Sequence, residues 1–152
     1  MATAAASTSG TVISVSATLP TTYDDSATTG FPSLTYTATG EVTDIGEYGK
    51  EYNLITHNPI GDRKTYKFKG NYNNGSLSLQ MASVAADAGQ AILLTALDSD
   101  TSISVEIEHQ GGEISYFSGK VMSYKVAVAA ESIKSATATF EIDSDIVEVA
   151  AP

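Results

Sequence analysis

Apolar and polar residues alternate with a period of two along most of this chain, as strands do when one face is buried and the other wet. The last third is clearest. Ile103, Val105 and Ile107 alternate with Ser104, Glu106 and Glu108, and Ala136, Ala138, Phe140 and Ile142 alternate with Thr137, Thr139, Glu141 and Asp143. Gly111-Gly112 predicts a hairpin turn into a returning strand from Ile114 to Tyr124. Earlier strands are predicted from Thr11 to Leu19, Leu34 to Ile45 with a bend at Gly40, Tyr52 to His57, Lys64 to Gly70 and Ser76 to Ala82. Asn73-Asn74-Gly75 predicts a tight hairpin turn, because Asn and Gly tolerate positive φ.

The period changes once. Ile92, Leu93, Ala96 and Leu97 recur at helical spacing after Asp87, which forms a candidate capping box with Gln90, and before the polar stop Asp98-Ser99-Asp100. A helix of about three turns covers one sheet face. The expected fold is mainly β: an antiparallel sandwich or open barrel with one flanking α-helix, in a single domain over 11–145. Residues 1–10 read as a flexible arm, 146–152 as a short tail, and 21–32 and 46–65 as long loops.

The chain has 152 residues and an ordinary apolar content, so general disorder is not expected. There is no cysteine, hence no disulfide or zinc-thiolate scaffold. No apolar run approaches the ~20 residues of a membrane-spanning helix, and the first ten residues lack the basic and apolar blocks of a secretion signal. The expectation is therefore a soluble protein with no membrane partner. A net charge of −10 should repel nucleic acid over most of the surface.

Catalytic and metal chemistry finds little support, and no enzyme activity or cofactor is expected. His57 and His109 stand alone in sequence, as solvated strand-end histidines do. Asp98-Ser99-Asp100 lacks the glycine and bidentate glutamate of an EF-hand loop, and neither a phosphate loop nor a nucleophile elbow occurs. Glu106 and Glu108 lie two apart on one strand face, a spacing open to paired-carboxylate hydrolysis. A solvated face is the stronger reading, since such a face carries polar residues at i and i+2 and no aromatic platform flanks the pair.

Base placement is the unusual feature. Lys50, Arg63, Lys64, Lys67 and Lys69, five of the eight bases, fall within one short stretch. They could guard an edge strand against improper pairing or contact the acidic surface of a neighbouring copy.

Gly40-Glu41-Val42-Thr43-Asp44-Ile45-Gly46-Glu47-Tyr48-Gly49 with Ile55-Thr56-His57 resembles the tail tube proteins of long, non-contractile-tailed phages. So do Phe68-Lys69-Gly70-Asn71-Tyr72-Asn73-Asn74-Gly75-Ser76-Leu77, the helix opening Asp87-Ala88-Gly89-Gln90-Ala91, and Ser135-Ala136-Thr137-Ala138-Thr139-Phe140-Glu141-Ile142. The resemblance spans Gly40 to Val149. It implies six copies in a ring, rings stacked into a tube, and four strands per copy closing a β-barrel around a bore. It also implies loops and arms that clasp neighbours, a place in the virion after assembly in host cytoplasm, and tape measure, tail terminator and tail-tip proteins as partners. Viral DNA would pass through without specific binding. Carboxylates on the bore would hold DNA off the wall within the ~8 Å reach left by salt. Glu106 and Glu108, with Glu141, are the expected bore-facing acids, unless these acids face outer solvent instead. The rival expectation is an adhesion or carbohydrate-binding β-sandwich using Tyr48, Tyr52, Tyr66 and Tyr72.

Overall fold

A computed structural model describes residues 5 and 7–151 of the chain. Residues 1–4 and 6 of the expected arm, and residue 152 of the expected tail, lie outside the described residues. The strands are β1 (Val12–Ser16), β2 (Thr37–Ala38), β3 (Val42–Asp44), β4 (Glu51–His57), β5 (Tyr66–Asn73), β6 (Ser76–Ala82), β7 (Ile103–Glu108), β8 (Ile114–Ala127), β9 (Ser135–Ile142) and β10 (Val147–Val149). One α-helix, α1 (Ala88–Leu97), follows β6. The expected class holds: mainly β, antiparallel, one helix, curled into a half-barrel.

Eight strands form one sheet in the order β2-β1-β7-β8-β9-β6-β3, with β10 also on β8. Its curl comes from β8, fourteen residues long. From Ile114 to Gly119 this strand pairs with β7, and from Gly119 to Ala127 with β9. Two wings result, sharing one strand. At the crossing, a Cβ on Gly119 would collide with the Glu141 carbonyl and the Phe140 ring, so only glycine allows so close an approach.

Register then assembles the core. Ile13 lies opposite Ile107 and Val15 opposite Val105 on the first wing. Leu77 lies opposite Phe140, Leu79 opposite Ala138 and Met81 opposite Ala136 on the second. These side chains, with Phe117, Val121 and Ile142, fill the curl, and Leu93 and Ala96 of α1 cap it. The inward set is the one the alternation predicts.

Three expectations change. The strand expected from Leu34 to Ile45 is two fragments, β2 and β3, at opposite ends of the sheet. The chain breaks between them, where Gly40 N–H donates to the Asp87 carboxylate and Glu41 takes a positive φ of 59°. Asn74-Gly75 does turn, with Gly75 at φ 89°, but β5 and β6 do not pair across it. The chain leaves the body there rather than forming a hairpin with it. The tail expected from 146 contains β10, which pairs antiparallel with Tyr116, Ser115 and Ile114.

The capping box is half right. Asp87 accepts from the Gln90 backbone N–H, as an N-cap should. The Gln90 side chain, 2% exposed, has a different task. Its Oε1 accepts from Val84 N–H and the Tyr124 hydroxyl, and its Nε2 donates to the Gly40 and Ala82 carbonyls. Helix, second wing and the β2–β3 crossover are tied through this one amide. Gln90→Leu should keep the volume but strand those buried partners, lowering stability by roughly 2–4 kcal/mol in urea unfolding.

Candidate assembly surfaces

Strand pairing leaves the second wing open. Residues 121–127 of β8 pair with β9 alone, because β7 ends its ladder at Gly119. The other end of that wing is β3, three residues long, with nothing paired outside it among the described residues. Four strands, β3-β6-β9-β8, therefore form a ribbon with an unfinished edge at each end. Exposed strand edges are templates for further pairing. Met122 and Val126 stand exposed along the β8 edge, and Val128 just past its end; a bulge earlier in the strand interrupts the register between Val121 and Ser123.

The outer face of this ribbon is bare. Ser76 and Ser78 of β6 and Ser135, Thr137 and Glu141 of β9 are exposed, with Lys120 and Lys125 on β8 and Asp44 on β3. Its charges are few and of both signs. Lys120 makes an ion pair with Asp100 at 3.3 Å.

The first wing is covered instead. The segment leading into β2 lays Phe31, fully buried, on Tyr116 in a stacked contact, with Tyr23 edge-on to Phe31 and Tyr36 against Tyr116. Part of the expected 21–32 loop is thus a packed strap. Phe31 anchors it from beneath, while Thr22, Asp24, Ser26 and Thr29 hydrogen-bond among themselves along its outer side. Glu106 lies opposite Ser14 and Tyr116 on this wing, half-buried, while Glu108 is exposed farther along the same face.

The structure therefore separates the three expected acids. Glu141 belongs to the bare face, and Glu106 and Glu108 to the strapped one. Burial pushes the Glu106 carboxyl up, a hydrogen bond from Tyr116 works against that, and Glu108 adds a smaller upward push. Tyr116 is pushed up to about 12, first by burial and then by the charge of Glu106. Tyr36 is raised further, again mainly by burial.

The third surface is an arm. β4 and β5 pair only with each other, from Glu51↔Asn73 to His57↔Tyr66, and extend from the body as a two-stranded ribbon. Every residue of β4 is exposed, including Leu54 at 65% and Ile55 at 51%. Ile55 lies opposite Phe68, itself exposed, while Leu54 lies on the other face, and an isolated hairpin of this kind is marginal in water.

All five clustered bases fall on this arm or its base. Lys50 lies over the Tyr72 ring at 4.3 Å, Lys69 over Tyr52 at 4.8 Å and Lys64 over Tyr66 at 5.1 Å. One face of each of these three rings thus carries an ammonium group. From residue 50 to 73 there are five bases against two acids, leaving three bases against sixteen acids elsewhere. The arm is thus net positive on a strongly negative body.

At the arm's root, Tyr72 donates to Asp145 and so does the Asn74 amide. Tyr48, just before β4, donates to Ser115 at 3.0 Å and meets His109 Nε2 at 3.0 Å. His109 is therefore half-buried and bonded, where a solvated side chain was expected. His57 is exposed and faces Tyr66. Among the described residues no acidic or histidine group of three could hold a metal ion.

No family model matches the chain, and no curated protein matches it. Among solved structures, a chain of the anti-feeding prophage (AFP) baseplate, determined by cryo-EM with six-fold symmetrisation, is similar. The TM-score is 0.68 at 12% identity, over 98% of this chain and 97% of that one. The likeness is one of fold along the whole length.

Glu106 ionises near 4.5 in an unfolded chain and higher in the native state. A raised carboxyl opposes folding above its native pKa, and that cost disappears as pH falls below 4.5. Glu106→Gln should therefore melt a few degrees higher than the parent at pH 7, the difference closing below pH 4.5.

Proposed function

We propose that this chain is a non-catalytic structural subunit of a phage-type tail assembly, of which copies close into rings, six to a ring, that stack into a hollow tube for DNA passage. The observation that carries this reading is the open ribbon β3-β6-β9-β8. A sheet with unfinished edges at both ends is completed when the β8 edge of one copy meets the β3 edge of the next, and a closed ring of such copies has no edges left. Fold likeness to a baseplate chain supports the same class of assembly.

In this reading the bare face is the bore wall. Hydroxyl side chains of Ser76, Ser78, Ser135 and Thr137 are short and uncharged, so they offer a passing duplex few ionic contacts. Glu141 and Asp44 add repulsion against Lys120 and Lys125, and most of the repulsion comes from the acidic body behind the wall. Glu106 and Glu108 then lie on the outer, strapped side. The arm reaches a neighbouring copy, its positive charge drawn to the neighbour's negative body. Tape measure, terminator and tail-tip proteins are the further partners of such a tube, and the virion its place.

Negative-stain microscopy of the purified protein should show annuli or filaments. Met122→Asp puts a charge on the β8 edge at a position that touches little of its own chain. It should leave melting within about 2 °C of the parent while abolishing annuli and filaments. Normal tubes from that variant would remove the edge from the assembly contact.

A further inference from the structure

Asparagine occurs five times in this chain, at Asn53, Asn58, Asn71, Asn73 and Asn74, and only Asn74 precedes a glycine. That pair forms the turn between β5 and β6, where the chain passes from the arm back to the body. An asparagine amide lies within reach of the next residue's backbone nitrogen, and a side chain on that next residue obstructs the approach. Gly75 has none. Its φ of 89°, and a Gly49 carbonyl 3.0 Å from where a Cβ would stand, leave no room for one.

The Asn74 amide is held from one side. Its Nδ2 donates to Asp145 Oδ1 at 3.3 Å, and its Oδ1 is buried with no hydrogen-bond partner among the described residues. An unsatisfied buried carbonyl is costly, so turning the amide away gives up one long hydrogen bond and relieves that cost. Gly75 N–H is restrained as well, donating to Asn73 Oδ1 at 2.9 Å. A cleft of about 300 Å³ beside the pair, lined by Lys50, Asn74, Asp145 and Glu148, admits water.

We infer that Asn74-Gly75 is a site of self-modification, in which Asn74 deamidates through a cyclic imide and the product releases the arm from its root. The Gly75 nitrogen attacks Asn74 Cγ. The N–Cγ bond forms, the Cγ–Nδ2 bond breaks, and ammonia leaves with the Gly75 amide proton. Water then opens the imide at either carbonyl. One product is an aspartate at this position; in the other the main chain runs through the side-chain carbon and is one methylene longer. Water is the only co-reactant.

Either product alters the root. The Nδ2 donor is gone, and a carboxylate stands where the amide met Asp145, in a cleft that Glu148 also lines with Lys50 as counter-charge. Like charges so close repel. Asp145 also accepts from the Tyr72 hydroxyl at 3.1 Å, so its displacement loosens β5 too. Asp145 thus restrains the amide before reaction and repels the product after it. The inference concerns a single copy and does not depend on assembly.

The test incubates the full chain in mildly alkaline buffer and follows each asparagine by peptide mass spectrometry. Conversion at Asn74 should outpace that at Asn53, Asn71 and Asn73, and run roughly threefold faster or more in Asp145→Ala than in the parent. Asn74→Asp should speed hydrogen exchange at the backbone amides of 73–76 and of Ile142 roughly tenfold. Adding Asp145→Asn to that variant should restore slow exchange, because the carboxylate and amide have then traded places. This exchanged pair keeps charge and hydrogen bond, so it decides the case even where Asp145→Ala unfolds. Conversion at Asn74 no faster than at the other asparagines overturns the inference, as does exchange that Asn74→Asp leaves unchanged or that the exchanged pair fails to restore.

Discussion

Backbone pairing along β8 is the constraint on which the other features depend. One strand of fourteen residues serves two wings, and at Gly119 it changes partner from β7 to β9. Because a strand has only two sides, each half of β8 is paired differently. The first half lies between neighbours, and the second half has β9 on one side and nothing on the other. The same bend that encloses the hydrophobic core therefore also creates the unfinished edge. In the proposed assembly, folding and ring closure would be linked by this geometry, without any extra element devoted to the second task.

The two wings then solve opposite problems. The first is sealed: Phe31, Tyr23 and Tyr36 strap its outer face, and β10 adds a strand. Sealing has a cost, visible in the Glu106 carboxyl, whose ionisation burial on that wing disfavours. The second wing is left bare, with serine and threonine outward and aliphatic residues inward. A face of short hydroxyls needs no cover, because each can exchange hydrogen bonds with water, and as the proposed bore wall it would present little for a passing polyanion to hold.

Charge is segregated in the same spirit. A body with three bases against sixteen acids would repel its own copies, and in the proposed assembly the basic arm would offset that repulsion. Three lysines on the arm rest over tyrosine rings, which holds the ammonium groups in place on the exposed hairpin. Tyr72, Asn74 and Asp145 fix the root of the arm to the body. The arm is thereby fixed at its root, while every residue of β4 stays exposed.

Sequence alone determined the fold class, the inward-facing set of β7 and β9, the Gly111-Gly112 hairpin and the single capped helix. These are local properties, set by side-chain alternation and by residues whose backbone preferences act over a few positions. It also marked the cluster of five bases. What the tertiary structure decided was which wing each strand joins. A period of two says that one face is buried and cannot say by what, so Glu106, Glu108 and Glu141 read alike in sequence although a strap half-covers the first. Gln90 looked like half of a capping box because its four actual partners come from 40, 82, 84 and 124. The Leu34–Ile45 run read as one strand because nothing in its alternation records that its halves cross to opposite ends of the sheet. The arm was legible as two strands with a turn; that they leave the body together follows only from the pairing of every other strand with someone else.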